Sequence, residues 1–149
     1  MPVTTPSSLP ALRDEAHPAC FVCAPNNPRG LQVQFLPQPD GSVGAEFHCD
    51  GRYEGYTGMI HGGIVSTLLD AAMTNCLFAL GHVAVTADLH VRFRHPLSTG
   101  QDAVVRAWVT RAAVPLFILE AQITQDGNIK ATAVGKFMRT DAPAAGEAP

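Results

Sequence analysis

One carboxylate stands where the chain around it is apolar. Asp70 lies inside the run Ile64-Val-Ser-Thr-Leu-Leu-Asp-Ala-Ala-Met-Thr-Asn-Cys-Leu-Phe-Ala-Leu80, which follows directly on His61-Gly62-Gly63. An ionised carboxylate on a helix that is apolar on most sides is costly unless a partner or a function compensates it. About two turns upstream, the glycines open a helix N-terminus whose first amides have no partner within the helix. A carboxylate able to activate water, set with main-chain donors able to hold an oxyanion, is the minimum set for hydrolysing an activated acyl group. Apolar flanks raise a carboxyl pKa, which suits a base working near neutral pH. The competing reading pairs Asp70 with a sheet arginine, but only 15% of the residues are charged. His61, placed before two glycines, reads more readily as a capping or turn-shaping residue than as an acid or base. Gly62 and Gly63 serve close helix–sheet packing as readily as anion binding, and both readings can hold together.

The elements that position these groups follow from periodicity. Leu31, Val33 and Phe35 alternate with Gln32 and Gln34, and Val43, Ala45, Phe47 and Cys49 alternate with Gly44, Glu46 and His48. Asp40-Gly41 between them signals a hairpin. The helix is expected over His61–Leu80, stopped by Gly81, and at roughly 30 Å it can cross a sheet. Beyond it, Val83, Val85, Ala87, Leu89, Val91 and Phe93 are expected on one strand face, with Thr86, Asp88, His90, Arg92 and Arg94 on the other. Further strands are expected around Ala103–Val109, Phe117–Ile123 and Ile129–Phe137, the last two joined by the turn Asp126-Gly127. Two strands, one helix apolar on most sides and four more strands predict an α+β fold, in which a curled antiparallel sheet wraps a single helix.

Composition bounds the partners. The chain has 149 residues, 46% hydrophobic, and a formal charge of −3. That size fits one domain, and the apolar content suggests surface buried between subunits. The charge argues against nucleic acid. Ser66, Thr67, Asp70, Thr74 and Asn75 interrupt the long apolar run, so it is not expected to span a membrane. With no basic-then-apolar leader, a cytoplasmic location is expected, and there Cys20, Cys23, Cys49 and Cys76 are expected as thiols or ligands. Residues 1–18 read as a loose, proline-rich leader, 19–139 as the folded domain and 140–149 as a disordered tail. Cys20 and Cys23 offer half a zinc site, with no other half evident: His48 and Cys49 face opposite ways on one strand. Arg92 and Arg94 read either as a solvated strand face or as contacts for phosphates, with Arg29 and Arg111 equally open. Met59, Ile60, Met73, Leu77 and Phe78 fit an apolar pocket or plain core.

Three stretches together resemble a known family. They are Cys20-Phe-Val-Cys23-Ala-Pro-Asn-Asn-Pro28-Arg-Gly30-Leu31, Tyr53-Glu-Gly55-Tyr-Thr-Gly58-Met-Ile-His61-Gly62-Gly63 with Leu69-Asp70, and Thr86-Ala-Asp-Leu-His-Val-Arg-Phe-Arg-His-Pro96. They look like the PaaI-like acyl-CoA thioesterases of the hotdog fold, over about residues 20–139. The resemblance implies an acyl-CoA substrate, no cofactor or metal, and a homodimer or dimer of dimers with its active site between protomers. Carried over by position, Asp70 activates water or attacks the thioester, the Gly62 N–H holds the carbonyl oxygen, His61 shapes the turn and Thr74 places water. Thr86 matches an assisting Ser/Thr, with Gly63, Arg92 and Arg94 around the substrate. Strict alternation nevertheless puts Thr86 on the face away from Asp70, so it reaches a site only across the subunit interface or through a bulge. Several relatives carry an Asn six residues before the His. Here that position is Gly55 beside Glu54, so either Glu54 substitutes or Thr74 alone positions water.

Two other functions compete. A hydratase or dehydratase of this fold needs a catalytic His facing an acid, and His61 and Asp70 supply both types. A non-catalytic acyl-CoA binder needs only the groove.

Overall fold

The computed structural model describes residues 7–140. Six antiparallel strands form one sheet in the order β1-β2-β4-β5-β6-β3. In chain order these are β1 (Leu36–Pro37), β2 (Val43–His48), β3 (Ala84–Phe93), β4 (Asp102–Ala113), β5 (Leu116–Gln125) and β6 (Asn128–Arg139). The sheet curls around helix α2 (Gly62–Ala79), which follows a short helix α1 (Leu9–Ala16). The expected hotdog architecture is therefore present.

Helix α2 has the length and mean hydropathy, 1.3, of a membrane span, yet 61% of it is buried inside the fold. Its buried residues lie on several sides, Val65, Leu68, Ala71, Ala72, Met73 and Cys76 among them, because sheet and α1 cover it from different directions. Against it pack Phe117, Leu119, Ile123 and Phe137, all fully buried. Its C-terminus closes as expected: Gly81 takes φ +87°, and the His82 N–H returns to the Leu77 carbonyl. The β5–β6 turn has positive φ at both Asp126 (53°) and Gly127 (75°), the mirror-image turn that matches strand twist.

Three expectations are corrected. Residues 31–35 are not a sheet strand. Val33 and Phe35 are buried in alternation, but the Leu31 and Val33 amides donate to Phe21 and Val22 carbonyls, and Gln32 has φ +54°. The alternation reports burial under a loop, since its ladder partner is another loop. The loose leader is also corrected over part of its length: α1 buries Leu9, and Ser8 Oγ donates to the Phe78 carbonyl at 2.6 Å. Its apolar anchors are too few to show as a periodicity. The first residues of the expected leader and 141–149 of the expected tail lie outside the described residues.

The third correction concerns β3. Thr86 pairs with Phe137 and Asp88 with Lys136, leaving Ala87 as an extra residue. This bulge reverses the alternation. Ala84 and Thr86 face the helix before it, Leu89, Val91 and Phe93 after it, and Val85 points outward at 56% exposure.

Core packing sets one expectation. Leu68 is 0% exposed and Leu80 49%. Leu68→Ala is expected to cost about 2–5 kcal/mol, whereas Leu80→Ala should stay within about 0.5 kcal/mol, read from urea unfolding midpoints.

Candidate active site

The sequence places His61 before two glycines, and the structure shows what that order does. His61 is the N-cap of α2, and its Nδ1 accepts the Gly63 N–H at 2.8 Å. The Gly63 amide is therefore used internally, and His61 spends its Nδ1 lone pair on the cap. The next open donor is Gly62: among the described residues its N–H has no hydrogen-bond partner. It opens onto a cleft of about 680 Å³ lined by Met59, Ile60, Gly62, Phe93 and Leu97 with Arg94, His95 and Lys130. Phe93 lies against Gly62, 3.5 Å from where a Cβ would stand.

Asp70 sits two turns along α2, half-buried. Its Oδ1 accepts the Thr86 hydroxyl at 2.7 Å, and none of the ion pairs among the described residues involves it. The structural reading that paired Asp70 with a sheet arginine is thereby removed. Burial pushes its pKa above the ordinary carboxyl value, while the Thr86 hydroxyl, and then His17, act to lower it. The Ala87 bulge brings Thr86 onto the helix side, so the contact forms within one protomer. Period-two reasoning could not find this pair because a single inserted residue inverts the face.

Thr74 lies one turn beyond Asp70 and is 7% exposed. Gly55 lines the cleft, and a Cβ there would come 3.3 Å from His61 Cα, so a side chain at this position would press on the cap. Other expected substrate contacts lie apart from this cleft. Glu54 does not line the cleft: its Oε2 accepts the Gly58 N–H at 3.1 Å and closes the 54–60 loop. Gly63 and Arg92 do not line it either, because Gly63 faces a shallow hollow with Thr67 and Arg92 projects from the outer face of β3. Arg94, just beyond the strand, does line it. Met59 and Ile60 belong to the cleft, whereas Met73, Leu77 and Phe78 are core.

A second cluster adjoins the Asp70 side of α2. His17 supplies the third donor that the Cys20/Cys23 pair lacked in sequence, with its nitrogen and both sulfurs within 4.8 Å of one another. Hydrogen bonds from Cys23 and His17 hold the Cys20 thiol low, and the bond to Cys20 together with burial pushes Cys23 up. All four cysteines are free thiols.

Comparison with known proteins gives a consistent picture. The sequence profile of the thioesterase superfamily matches residues 57–132, the span holding the Gly62 turn, Asp70 and Thr86. Acyl-coenzyme A thioesterase 13 of Homo sapiens is 26% identical over 110 residues, covering 72% of this chain and 79% of that protein. The PaaI protein of the phenylacetic acid degradation operon of E. coli has the same fold, with a TM-score of 0.70 at 19% identity over 75% of this chain and 82% of that one. Thioesterase superfamily protein RHA08564 superposes with a TM-score of 0.74 at 24% identity, over 78% of this chain. This chain spans only 61% of the length of RHA08564.

The environment of Asp70 fixes a titration. Followed by carboxyl NMR, Asp70 is expected to titrate above the ordinary 3.8. Thr86→Val, which removes the only hydroxyl on it, should move that midpoint further up, and Thr86→Ser should restore it. A folded pKa above the unfolded one means that folding takes up a proton as pH falls, so this group weakens the fold as pH rises through that window. Asp70→Asn is accordingly expected to leave the unfolding midpoint at neutral pH unchanged or higher.

Proposed function

This chain belongs to the thioesterase superfamily, and on that premise we propose that it hydrolyses acyl-CoA thioesters at a site completed by a second copy of itself. The observation that carries the reading is the Asp70 carboxylate: raised in pKa by burial, held by Thr86 and in no ion pair among the described residues.

The spacing of the two groups supports a second copy. Asp70 and Gly62 lie eight residues apart on one helix, about 12 Å along its axis. A carbonyl must meet its oxyanion donor and the activated water within about 3 Å of each, so these two groups of one chain cannot serve the same carbonyl. Strand β3 supplies the remedy. It is a ten-residue edge strand, with Val85 and Phe93 each 56% exposed, and a long exposed edge invites pairing. Thr86 ties Asp70 to its N-terminal end, and Phe93 packs on Gly62 at its C-terminal end. Antiparallel pairing of two β3 edges about a two-fold axis lays the first end against the partner's second. Asp70 of one protomer then approaches the Gly62 amide of the other.

In that groove the thioester oxygen accepts the Gly62 N–H. Asp70 takes a proton from water, held with the help of the Thr74 hydroxyl, as the new C–O bond forms. Collapse of the tetrahedral species breaks the C–S bond, and the departing thiolate receives the proton from Asp70. Arg94 and Lys130 on the cleft offer charge to the CoA phosphates, and its apolar residues take the acyl or pantetheine portion. A hydratase reading is disfavoured because His61 is committed to capping Gly63.

Release of free CoA thiol, screened over short, medium, long and aromatic acyl-CoAs, tests the reaction. Asp70→Asn is expected to lower kcat about 10²–10⁴-fold with acyl-CoA binding retained. Binding without turnover of any thioester by the wild type would instead leave a non-catalytic binder. Gly62→Pro removes the amide hydrogen and adds a ring at a helix position that accepts proline, and should be equally inactive, whereas Gly62→Ala, which adds the same Cβ beside Phe93 but keeps the N–H, should not. Co-expressing Asp70→Asn with Gly62→Pro tests the shared site. Random dimers place one intact site in half the population, restoring about a quarter of wild-type activity; a site within one chain would restore none.

A further inference from the structure

The His17, Cys20 and Cys23 cluster has no part in acyl transfer, yet it is built. Two successive turns, Cys20 N–H to the His17 carbonyl and Ala24 N–H to the Cys20 carbonyl, bring the three side chains to one side of the loop. Cys23 Sγ lies 4.0 Å from His17 Nδ1. The Val22 N–H donates to Cys20 Sγ at 3.3 Å, the kind of outer bond that supports a ligating sulfur. The His17 ring is fixed edge-on to Phe78, centroids 5.1 Å apart. Beneath the loop, Asn75 on α2 is fully buried. Its Nδ2 donates to the Ala71 carbonyl at 2.9 Å, while its Oδ1 has no partner among the described residues.

We infer that His17, Cys20 and Cys23 bind one zinc-type divalent ion, with the fourth position taken by a solvent-derived or exogenous ligand. Two sulfurs and an imidazole select a borderline-soft tetrahedral ion over calcium or magnesium, which take oxygen ligands. A tetrahedral zinc site has S···N edges of about 3.6 Å and S···S edges of about 3.8 Å. The observed 4.0 Å between Cys23 and His17 needs a contraction of a few tenths of an ångström. His17 and Cys20 are only half-buried, which leaves an entry path. Once bound, the ion rigidifies the loop after α1, which rests on α2 through the His17–Phe78 contact. The inference stands apart from the hydrolase reading, since it uses none of the same residues.

The test is metal binding by the reduced full-length chain. After loading with Zn²⁺ and gel filtration, about one ion per chain is expected, and Co²⁺ in its place should show intense thiolate-to-cobalt absorption. Cys20→Ser and His17→Gln, both at half-buried positions, should each weaken Zn²⁺ binding at least about tenfold, while Cys76→Ser should leave it intact. Added Zn²⁺ should raise the melting temperature of the wild type and not that of His17→Gln. The inference is overturned if the reduced wild type retains no ion and shows no cobalt–thiolate band, or if both cluster variants retain the ion as well as the wild type does.

Discussion

A carboxylate on an apolar helix, held by the Thr86 hydroxyl and in no ion pair among the described residues, is the constraint around which this molecule is arranged. Leaving Asp70 without a guanidinium leaves burial as the leading influence on its pKa, which stands above the ordinary carboxyl value. Leaving it without any partner would cost the fold the full desolvation of a half-buried charge. The Thr86 hydroxyl at 2.7 Å lies between these extremes. It orients the carboxylate through Oδ1 and stabilises the charged form less than a cation would, which leaves Oδ2 for chemistry.

That contact exists only because β3 is irregular. An unbulged strand with Asp88, His90 and Arg92 on its outer face would need no residue between Thr86 and Asp88 for Thr86 to face the helix. The chain contains Ala87 there, and the bulge absorbs it. Inner-facing Thr86 and outer-facing charges then coexist on one strand. The same strand is the free edge of the sheet, and its two ends touch the two halves of the proposed machinery. One strand thus carries the Thr86 hydroxyl on Asp70, the Phe93 ring against Gly62 and the free edge of the sheet.

The opposite flank of α2 is governed by different physics. Few strands reach it, so its apolar residues are covered by α1 and by the loop that follows, through Leu9, the Ser8–Phe78 hydrogen bond and the His17–Phe78 contact. A short helix with one buried leucine is a weak clamp. The cluster of His17, Cys20 and Cys23 lies in this loop, where hydrophobic burial alone is thin.

Local pattern in the sequence was enough for the central helix and its stop, five of the six strands, both hairpin turns, and the placing of Asp70 and His61-Gly62-Gly63 on one element. Each of these follows from neighbouring residues: period 3.6, period 2, or the backbone freedom of glycine and asparagine-like turn residues. What only tertiary structure decided depends on contacts between distant segments. Residues 31–35 alternate like a strand, but pair with a loop. Thr86 changes face through one inserted residue that composition does not mark. Glu54 turns back to its own loop, and His17 reaches Cys20 and Cys23 by two tight turns that no spacing rule reports. Periodicity records which residues are buried, because burial repeats with the local helix or strand geometry. It does not record what lies on the other side of the contact, because that partner arrives from elsewhere along the chain.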